Sequence, residues 1–548
     1  MTPGSGIDGE GGDFDLRRVV AALVERCDVF AEEIEVLRAE NDELKAENRD
    51  LRDEIARLKG MPPRPKFPPK KPSGMEKATS GPADGGGGGK GGKQRSPRRR
   101  GSKNDKLTVT RDVLVNAARP EGSIFQGYED VLVQDLKIEV ETIRYRREVW
   151  SGPNGERIVA PLPAGIKGGY GPQVRRFIVA GHAQGQVSSE RLTALLNGMG
   201  LSISKRQVVR LMSKGLEDLI AEDEAVLQAG LETSPWVTVD DTGHRHDGKN
   251  GYVTHIGNDA FAVFRASPSK SRVNFLELLR AGASNYAINA HALDYMRAQG
   301  MAEPLIEILG THPDKAFADE AAWLAHLEAL EMDQFRSIKV IATEGALWGA
   351  IKAQGLLGDT VIVSDGAGQF RLDDNHGLCW VHAERLVHKL SPTRPADIKA
   401  QERRRTLIWN FYRDLKIYRE NPNPKRAKAL GLRFDRIFTA KTGYEPLDQL
   451  LLRLHGRKAE LLKVLERPEI PTHTNGSENA IRAWVTKRKI SGGTVSNDGK
   501  AARQATLGLA KTCAKLGVSF YRYLGDRFAV PGAPPVPSLP TLVRMARA

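Results

Sequence analysis

Leu16, Leu23, Phe30, Leu37, Leu44, Leu51 and Leu58 stand seven residues apart near the start of this chain. A strict seven-residue repeat of this length leaves few choices, because it winds helices around one another in a left-handed coiled coil. If these are d positions, Val20, Cys27, Ile34, Asn41, Asn48 and Ile55 fall at a. A buried Asn at a wants its twin across the seam, which favours two parallel strands in one register. Glu33, Glu40, Glu47 and Glu54 at g then face Arg38, Lys45, Arg52 and Lys59 at the following e′ positions. Every such pair attracts in a parallel homodimer. Residues 1–60 are therefore expected to form a dimerisation segment built on Leu37, Asn41, Leu44, Asn48 and Leu51. A single solvated helix and pairing with a different partner are the alternatives.

The repeat stops at a second kind of sequence. Residues 61–106 hold thirteen Lys/Arg against Glu76, Asp84 and Asp105, so most of the chain's net +14 sits in this Pro/Gly-rich stretch. It has almost nothing apolar to bury and is expected to be a disordered linker. It is either a plain solvated spacer or a basic tether, through Arg98, Arg99 and Arg100, that holds DNA phosphates without reading sequence. The three cysteines, Cys27, Cys379 and Cys513, cannot build a disulfide framework or a four-cysteine zinc site. That usage fits a reducing cytosol. No run of about 18 apolar residues appears, so no membrane helix is expected, and the acidic, Gly-rich start shows no secretory signal.

Residues 107–168 alternate apolar and polar in short pieces (107–109, 138–140, 157–160), which predicts a small β-rich region. Residues 169–232 read as helical. A helix over about 189–197, a turn at 198–201 and a second helix from about Lys205 suggest a helix-turn-helix. Ser204 and Gln207 stand at capping-box spacing, and Lys205, Arg206 and Arg210 are basic. Such a hairpin contacts DNA or simply packs, and the pattern allows both.

From residue 233 onward the pattern changes to apolar strands. Pro235–Asp240 runs into Asp240 and Asp241, and Thr360–Asp365 is a buried-type strand ending in Asp365. Two further strands are expected over 251–257 and 260–266. Carboxylates at strand ends are where an α/β sheet exposes chemistry, and hard oxygen ligands suit Mg²⁺ or Mn²⁺. Glu478, at the start of a helix reaching about Thr486, would supply a third acid. Spacing alone selects this triple weakly, since an Asp after a strand is often only a turn former. Asp241 rivals Asp240, and Asp373 and Asp374 rival Asp365. Cys379 and His382 have C-x-x-H spacing, which is only half a zinc site, so a structural or DNA-facing role is favoured for them. His244 and His246 either approach the acids or lie on a surface strand. Arg482, Lys487, Arg488 and Lys489 form either a solvated helix face or a phosphate contact. Residues 273–358 read as a helical insertion, 394–471 as a helical connection, and those after Val530 as a loose tail.

Several separated blocks resemble the insertion sequence 66 family of transposases, in that family's order. They are Gly169–Pro172 with the helices that follow, Val239–Thr242, Ser364–Gly366, Cys379–Ala383 with Arg385, Asn475–Arg482 with Lys487–Lys489, and Leu507–Phe528. The resemblance implies an α/β RNase H-like catalytic core at 233–490 carrying a D-D-E triad of Asp240, Asp365 and Glu478. This core would lie between the helix-turn-helix-like region and a helical C-terminal region and tail at 491–548. It implies two Mg²⁺ (or Mn²⁺) ions held by those acids, with Asp241, Cys379, His382 and Asn475 as accessory positions. The implied activity is strand cleavage and strand transfer on DNA by polynucleotidyl transfer. The partners would be element ends and target DNA, a second copy through the coiled coil, and helper proteins encoded by the same element. The setting would be a bacterial cytoplasm, nucleoid-associated when DNA-bound. The departures are specific. Family members commonly carry a Cys-rich zinc-binding segment after the basic linker, but this chain has no cysteine between Cys27 and Cys379, so no zinc is expected. Thr474-Asn475 stands where Asp-Asn is usual, and Asp241 where Glu is usual. A nuclease without strand transfer, and a DNA-binding dimer with an inactive or accessory core, are the alternatives.

Overall fold

A computed structural model of the chain describes residues 108–546 apart from 119 and 122. The expected coiled coil, with Leu37, Asn41, Leu44, Asn48 and Leu51, and the basic linker with Arg98, Arg99 and Arg100 lie outside the described residues. The described residues fall into two units: 162–193 with 204–546, and 108–161 with 194–203.

In the smaller unit the expected β-rich region is largely absent. The described residues of 108–148 form no strand, and Val115, Ile124 and Val133 are more than three-quarters exposed. Only a short antiparallel pair, β1 (Val149–Ser151) and β2 (Arg157–Val159), carries out the alternation. An alternating sequence becomes a strand when one of its faces can be buried, and here nothing covers that face.

The chain continues with α1 (Pro172–Ala183), α2 (Ser189–Gly198), whose residues 194–198 count with the smaller unit, and then α3 (Lys205–Ser213) and α4 (Glu217–Thr233) of the larger unit. The predicted cap is present, since Ser204 Oγ accepts the Gln207 amide at 3.3 Å. Helix α3 buries Val208 and Leu211 and leaves Lys205, Arg206 and Arg210 exposed.

Three antiparallel strands follow, β3 (Trp236–His246), β4 (Lys249–Gly257) and β5 (Ala262–Ser267). β3 does not stop at its two carboxylates. β4 pairs with it from Gly257 opposite Thr238 to Lys249 opposite His246, and this ladder draws the strand on to His246. The insertion is α5 (Arg272–Leu279), β6 (Tyr286–Ala287), α6 (Ala290–Ala298), α7 (Glu303–Thr311), β7 (Ala316–Phe317), α8 (Glu320–Ala329) and α9 (Arg336–Ala353). It is helical as expected, with a two-residue antiparallel pair, β6–β7, added.

The chain then returns to the sheet as β8 (Val361–Ser364) and β9 (His376–Leu378), both parallel to β3. The five strands stand in the order β5-β4-β3-β8-β9. A second helical group follows, α10 (Trp380–His388), α11 (Pro395–Glu420), α12 (Pro424–Thr439), α13 (Glu445–His455) and the single turns α14 (Lys458–Leu461) and α15 (Lys463–Glu466). Last come α16 (Asn475–Ser491), α17 (Asn497–Lys515), α18 (Phe520–Arg527) and α19 (Leu539–Met545).

Alternation along the strands gives the sheet two apolar faces. Val237, Val239 and Ile362 join one core with the insertion helices, α4, α17 and α18. Trp236, Val361 and Val363 join a second core with α10–α15. The sheet is thus covered on both sides. The expected loose tail is a docked helix: Leu539 and Val543 of α19 are fully buried, and the Leu539 amide donates to Glu222 of α4 at 2.9 Å. Glu222 also takes Arg527 and the Tyr523 hydroxyl, which fixes the end of the chain. Among the described residues, no helix is long and apolar enough to cross a membrane.

Candidate active site

The parallel ladder between β3 and β8 sets Thr238 opposite Val363. Asp240 and Asp365 each lie two residues further on, so the two acids leave neighbouring chains at the same end of the sheet. Asp365 caps its own turn, with Oδ1 accepting the Ala367 amide at 2.9 Å, and Gly366 supplies the positive φ (93°) that this turn needs.

Glu478 arrives from α16. The preceding residue, Ser477, is fully buried and donates to Thr238 Oγ1 at 2.7 Å, and its Oγ also lies 2.9 Å from His255 Nδ1. His255 pairs with Asp240 across β3–β4, so Thr238, Asp240 and His255 share the face that α16 covers. The hydroxyl clasp at Ser477 therefore brings Glu478, in the first turn of α16, beside the two aspartates. Cys379 links the same parts from below: its amide donates to Ser364 O at 2.9 Å and its sulfur accepts the Thr474 amide at 3.4 Å.

The electrostatics follow from this grouping. Burial, reinforced by the negative charges of Asp365 and Glu478, pushes the Asp240 carboxyl up to about 6, against the Asp241 amide and His382, which pull it down. Glu478 Oε1 is buried without a hydrogen-bond partner. The nearest basic groups stand off from it, His382 Nε2 at 3.7 Å and Arg385 at 3.7 Å, while Arg482 is 4.0 Å from Oε2. The oxygens of the three acids do not all lie within 4.8 Å of one another. That spread suits carboxylates that repel, and an orphaned buried oxygen in an all-oxygen donor set fits a hard dication.

Asp241 belongs to the other face. It is paired with Lys270 and accepts from Gln369 Nε2 at 2.8 Å, so its charge is compensated by protein groups. Lys270 and Gln369 carry no motif that would have singled them out in the sequence; only the approach of the segments after β5 and β8 makes them neighbours of Asp241.

The remaining expected site residues divide. Lys205 is exposed and pairs with Glu190, and Arg482 and Lys489 are exposed on α16. Lys487 corrects the expectation of a phosphate contact. It is 2% exposed, and its ammonium donates to the His182 carbonyl of α1 at 2.5 Å and lies 2.9 Å from His182 Nδ1. Burial holds it down to about 7, and burial together with Lys487 holds His182 down to about 3. Lys487 anchors a helix and is closed to DNA. Arg488 is half-buried and donates to the Gly243 carbonyl of β3. His244 is buried edge-on against Trp484, and His246 Nδ1 lies 2.9 Å from Thr494 Oγ1. Both fasten the far end of β3, roughly 13 Å or more along the strand from Asp240. Asn475 is half-buried at the first position of α16. Asp373 serves as a turn former, accepting the Asn375 amide at 2.9 Å.

Comparison with known proteins reaches part of this site. The family model described as "Transposase IS66 family" matches residues 349–502, a span that contains Asp365 and Glu478. "Uncharacterized protein y4jO" of Sinorhizobium fredii (strain NBRC 101917 / NGR234) is 51% identical over 309 residues, covering 56% of this chain and 96% of that protein. On these likenesses, the chain belongs to the IS66 family of transposases.

Proposed function

We propose that this protein is a D-D-E DNA transposase that binds mobile-element ends and carries out metal-dependent strand cleavage and strand transfer. The observation that carries the reading is the gathering of Asp240, Asp365 and Glu478 from β3, β8 and α16 at one end of the sheet. The strand order β5-β4-β3-β8-β9, with only β4 antiparallel to its neighbours, supports an RNase H-like core. Asp240, Asp365 and Glu478 would hold two Mg²⁺ (or Mn²⁺) ions, which in such sites activate a water or 3′-hydroxyl and stabilise the leaving oxygen.

The chain's own groups do the rest. The carboxylates of Asp240 and Glu478 keep oxygens free of strong protein partners and so available to a cation. Arg385, standing off from Glu478, places positive charge where a phosphodiester would approach, and His382 adds to it when protonated. The Ser477–Thr238 clasp holds α16 against β3 and keeps the third acid from drifting. The exposed Lys205, Arg206, Arg210, Arg482 and Lys489 supply phosphate contacts, with Arg98, Arg99 and Arg100 as a basic tether. The coiled coil would pair two copies, helper proteins of the same element are further candidate partners, and the bacterial cytoplasm is the proposed location.

The test is to incubate the purified protein with a labelled element end, a target plasmid and Mg²⁺. Joined product supports the transposase, nicks alone support a nuclease, and a mobility shift alone supports a DNA-binding dimer with an inactive core. Asp365→Asn is expected to abolish joining and cleavage while leaving the shift. Retained cleavage in that variant would remove Asp365 from the reaction.

A further inference from the structure

Among the described residues, one set of three metal-ligating side chains does close to within 4.8 Å, and it lies in the helical insertion: His312, Asp314 and His326. His312 caps the C-terminal end of α7, Pro313 and Asp314 follow in the turn toward β7, and His326 rises from α8. The His326 ring is 8% exposed and is held on three sides. Phe317 lies 4.6 Å away, Trp323 5.9 Å, and the His312 ring 4.5 Å at a near edge-on angle of 73°. Trp323 is in turn fixed by its indole N–H on Thr343 Oγ1 at 3.1 Å. Within this rigid setting His326 Nε2 is buried with no hydrogen-bond partner, a state that folded proteins rarely leave unanswered.

The other two ligands sit at the surface and can adjust. Asp314 Oδ2 lies 3.8 Å from His312 Nδ1, which accepts the Asp314 amide at 3.1 Å. The Asp314 side chain is 69% exposed. A cation taken up at Nδ1 would replace that one hydrogen bond, with the short turn drawing the carboxylate inward. Two imidazole nitrogens, which are borderline donors, beside one carboxylate favour Zn²⁺, Co²⁺ or Ni²⁺ over the oxygen-seeking Mg²⁺ and Ca²⁺. Three protein ligands leave a coordination place open on the solvent side.

We propose that His312, Asp314 and His326 form a site for one borderline transition-metal dication of the Zn²⁺ class, clipping the end of α7 to α8. This route to zinc needs no cysteine, so the cysteine count that argued against such a metal does not bear on it.

The test uses the full chain carrying Asp240→Asn, Asp365→Asn and Glu478→Gln, so that binding at the other carboxylates is removed and failure here leaves the transposase reading untouched. Co²⁺ is the optical probe and Zn²⁺ the competitor. One equivalent of Co²⁺ is expected, with visible absorption of low-coordinate cobalt, displaced by Zn²⁺ and unmoved by millimolar Mg²⁺. Adding His312→Ala should abolish that absorption, and Asp314→Ala should weaken affinity by about tenfold or more. Zn²⁺ should raise the melting temperature of the parent and not of the His312→Ala protein. Both added substitutions lie at partly or fully exposed positions, and a cooperative melt without metal confirms that each variant folds. Absence of stoichiometric binding, equal binding in the folded His312→Ala protein, or displacement by Mg²⁺ would overturn the proposal.

Discussion

Asp240 and Asp241 are adjacent on one strand and live in opposite electrostatic worlds. The side chain of Asp240 turns to the face covered by α16, among Asp365 and Glu478, and its carboxyl is pushed up to about 6 by burial and by those acids. Asp241 turns to the face toward α5, where Lys270 and Gln369 occupy its oxygens. The covalent difference between the two positions is nil; the two-residue period of a β-strand separates them. Asp240 is gathered with other carboxylates and accepts the Asp241 amide, whereas Asp241 is matched to an ammonium. The same contrast in partners, rather than in residue type, distinguishes Glu478 from the many paired acids elsewhere, such as Glu222 beneath Arg527.

The largest expected effect tests that contrast directly. Asp240→Asn should lower strand cleavage and joining by at least about a thousandfold, roughly 4 kcal/mol of transition-state stabilisation. Its thermal melt should stay near that of the parent. A fully active Asp240→Asn protein would end the assignment of roles to the two faces. Next comes the anchoring of α16. Burial depresses Lys487 from 10.5 to about 7, so its contribution to stability is complete above 10.5 and is lost as pH falls through 7. His182, depressed from 6.5 to about 3, extends the loss toward acid. The unfolding free energy of the parent, read from urea titrations, should therefore fall between about pH 10 and 7 by a few kcal/mol, and Lys487→Met should flatten that slope. An unchanged slope would show that Lys487 reaches solvent.

Smaller effects probe the supporting groups. Ser477→Ala leaves Thr238 and His255 short of a partner and should cost about 1–2 kcal/mol of stability, read by chemical denaturation. A loss of joining activity larger than the loss of folded protein would mark Ser477 as positioning Glu478. Asp241→Asn should change joining by no more than about tenfold, roughly 1.4 kcal/mol, since its charge is met by Lys270. If Asp241→Asn were as damaging as Asp240→Asn in the same joining assay, the two faces would not differ in the way described.

The strands that carry the candidate aspartates were legible in advance, whereas spacing alone selected the three acids only weakly and the family resemblance singled them out. The runs before Asp240 and Asp365 are mostly apolar and strand-like, and Ser204 and Gln207 carry a cap signature that the structure realises. Other features were misread because a local pattern met a tertiary condition. The described residues of 108–148 have the alternation of strands but no covered face, and so no strand. β3 outran its carboxylates because β4 offered it a ladder partner to His246. The segment after Val530 has the Pro/Gly content of a tail, yet Leu539 and Val543 found a groove on α4. Lys487 did leave a signal: Ala480, Ala483, Trp484 and Lys487 repeat at helical spacing along one stripe, so a lysine there was bound for the interior.

By itself, the sequence determined what is short-ranged: where helices begin, which runs are strands, and which acids follow them. Hydrophobic period, capping and turn chemistry act over a few residues, so one chain suffices to read them. Only the tertiary structure decided which charges are neighbours. Asp240 and Glu478 are more than two hundred residues apart in the chain, and Lys270 reaches Asp241 only once β5 has packed beside β4. Coulomb interactions and desolvation depend on distance in space and on burial, neither of which is written in the order of the residues.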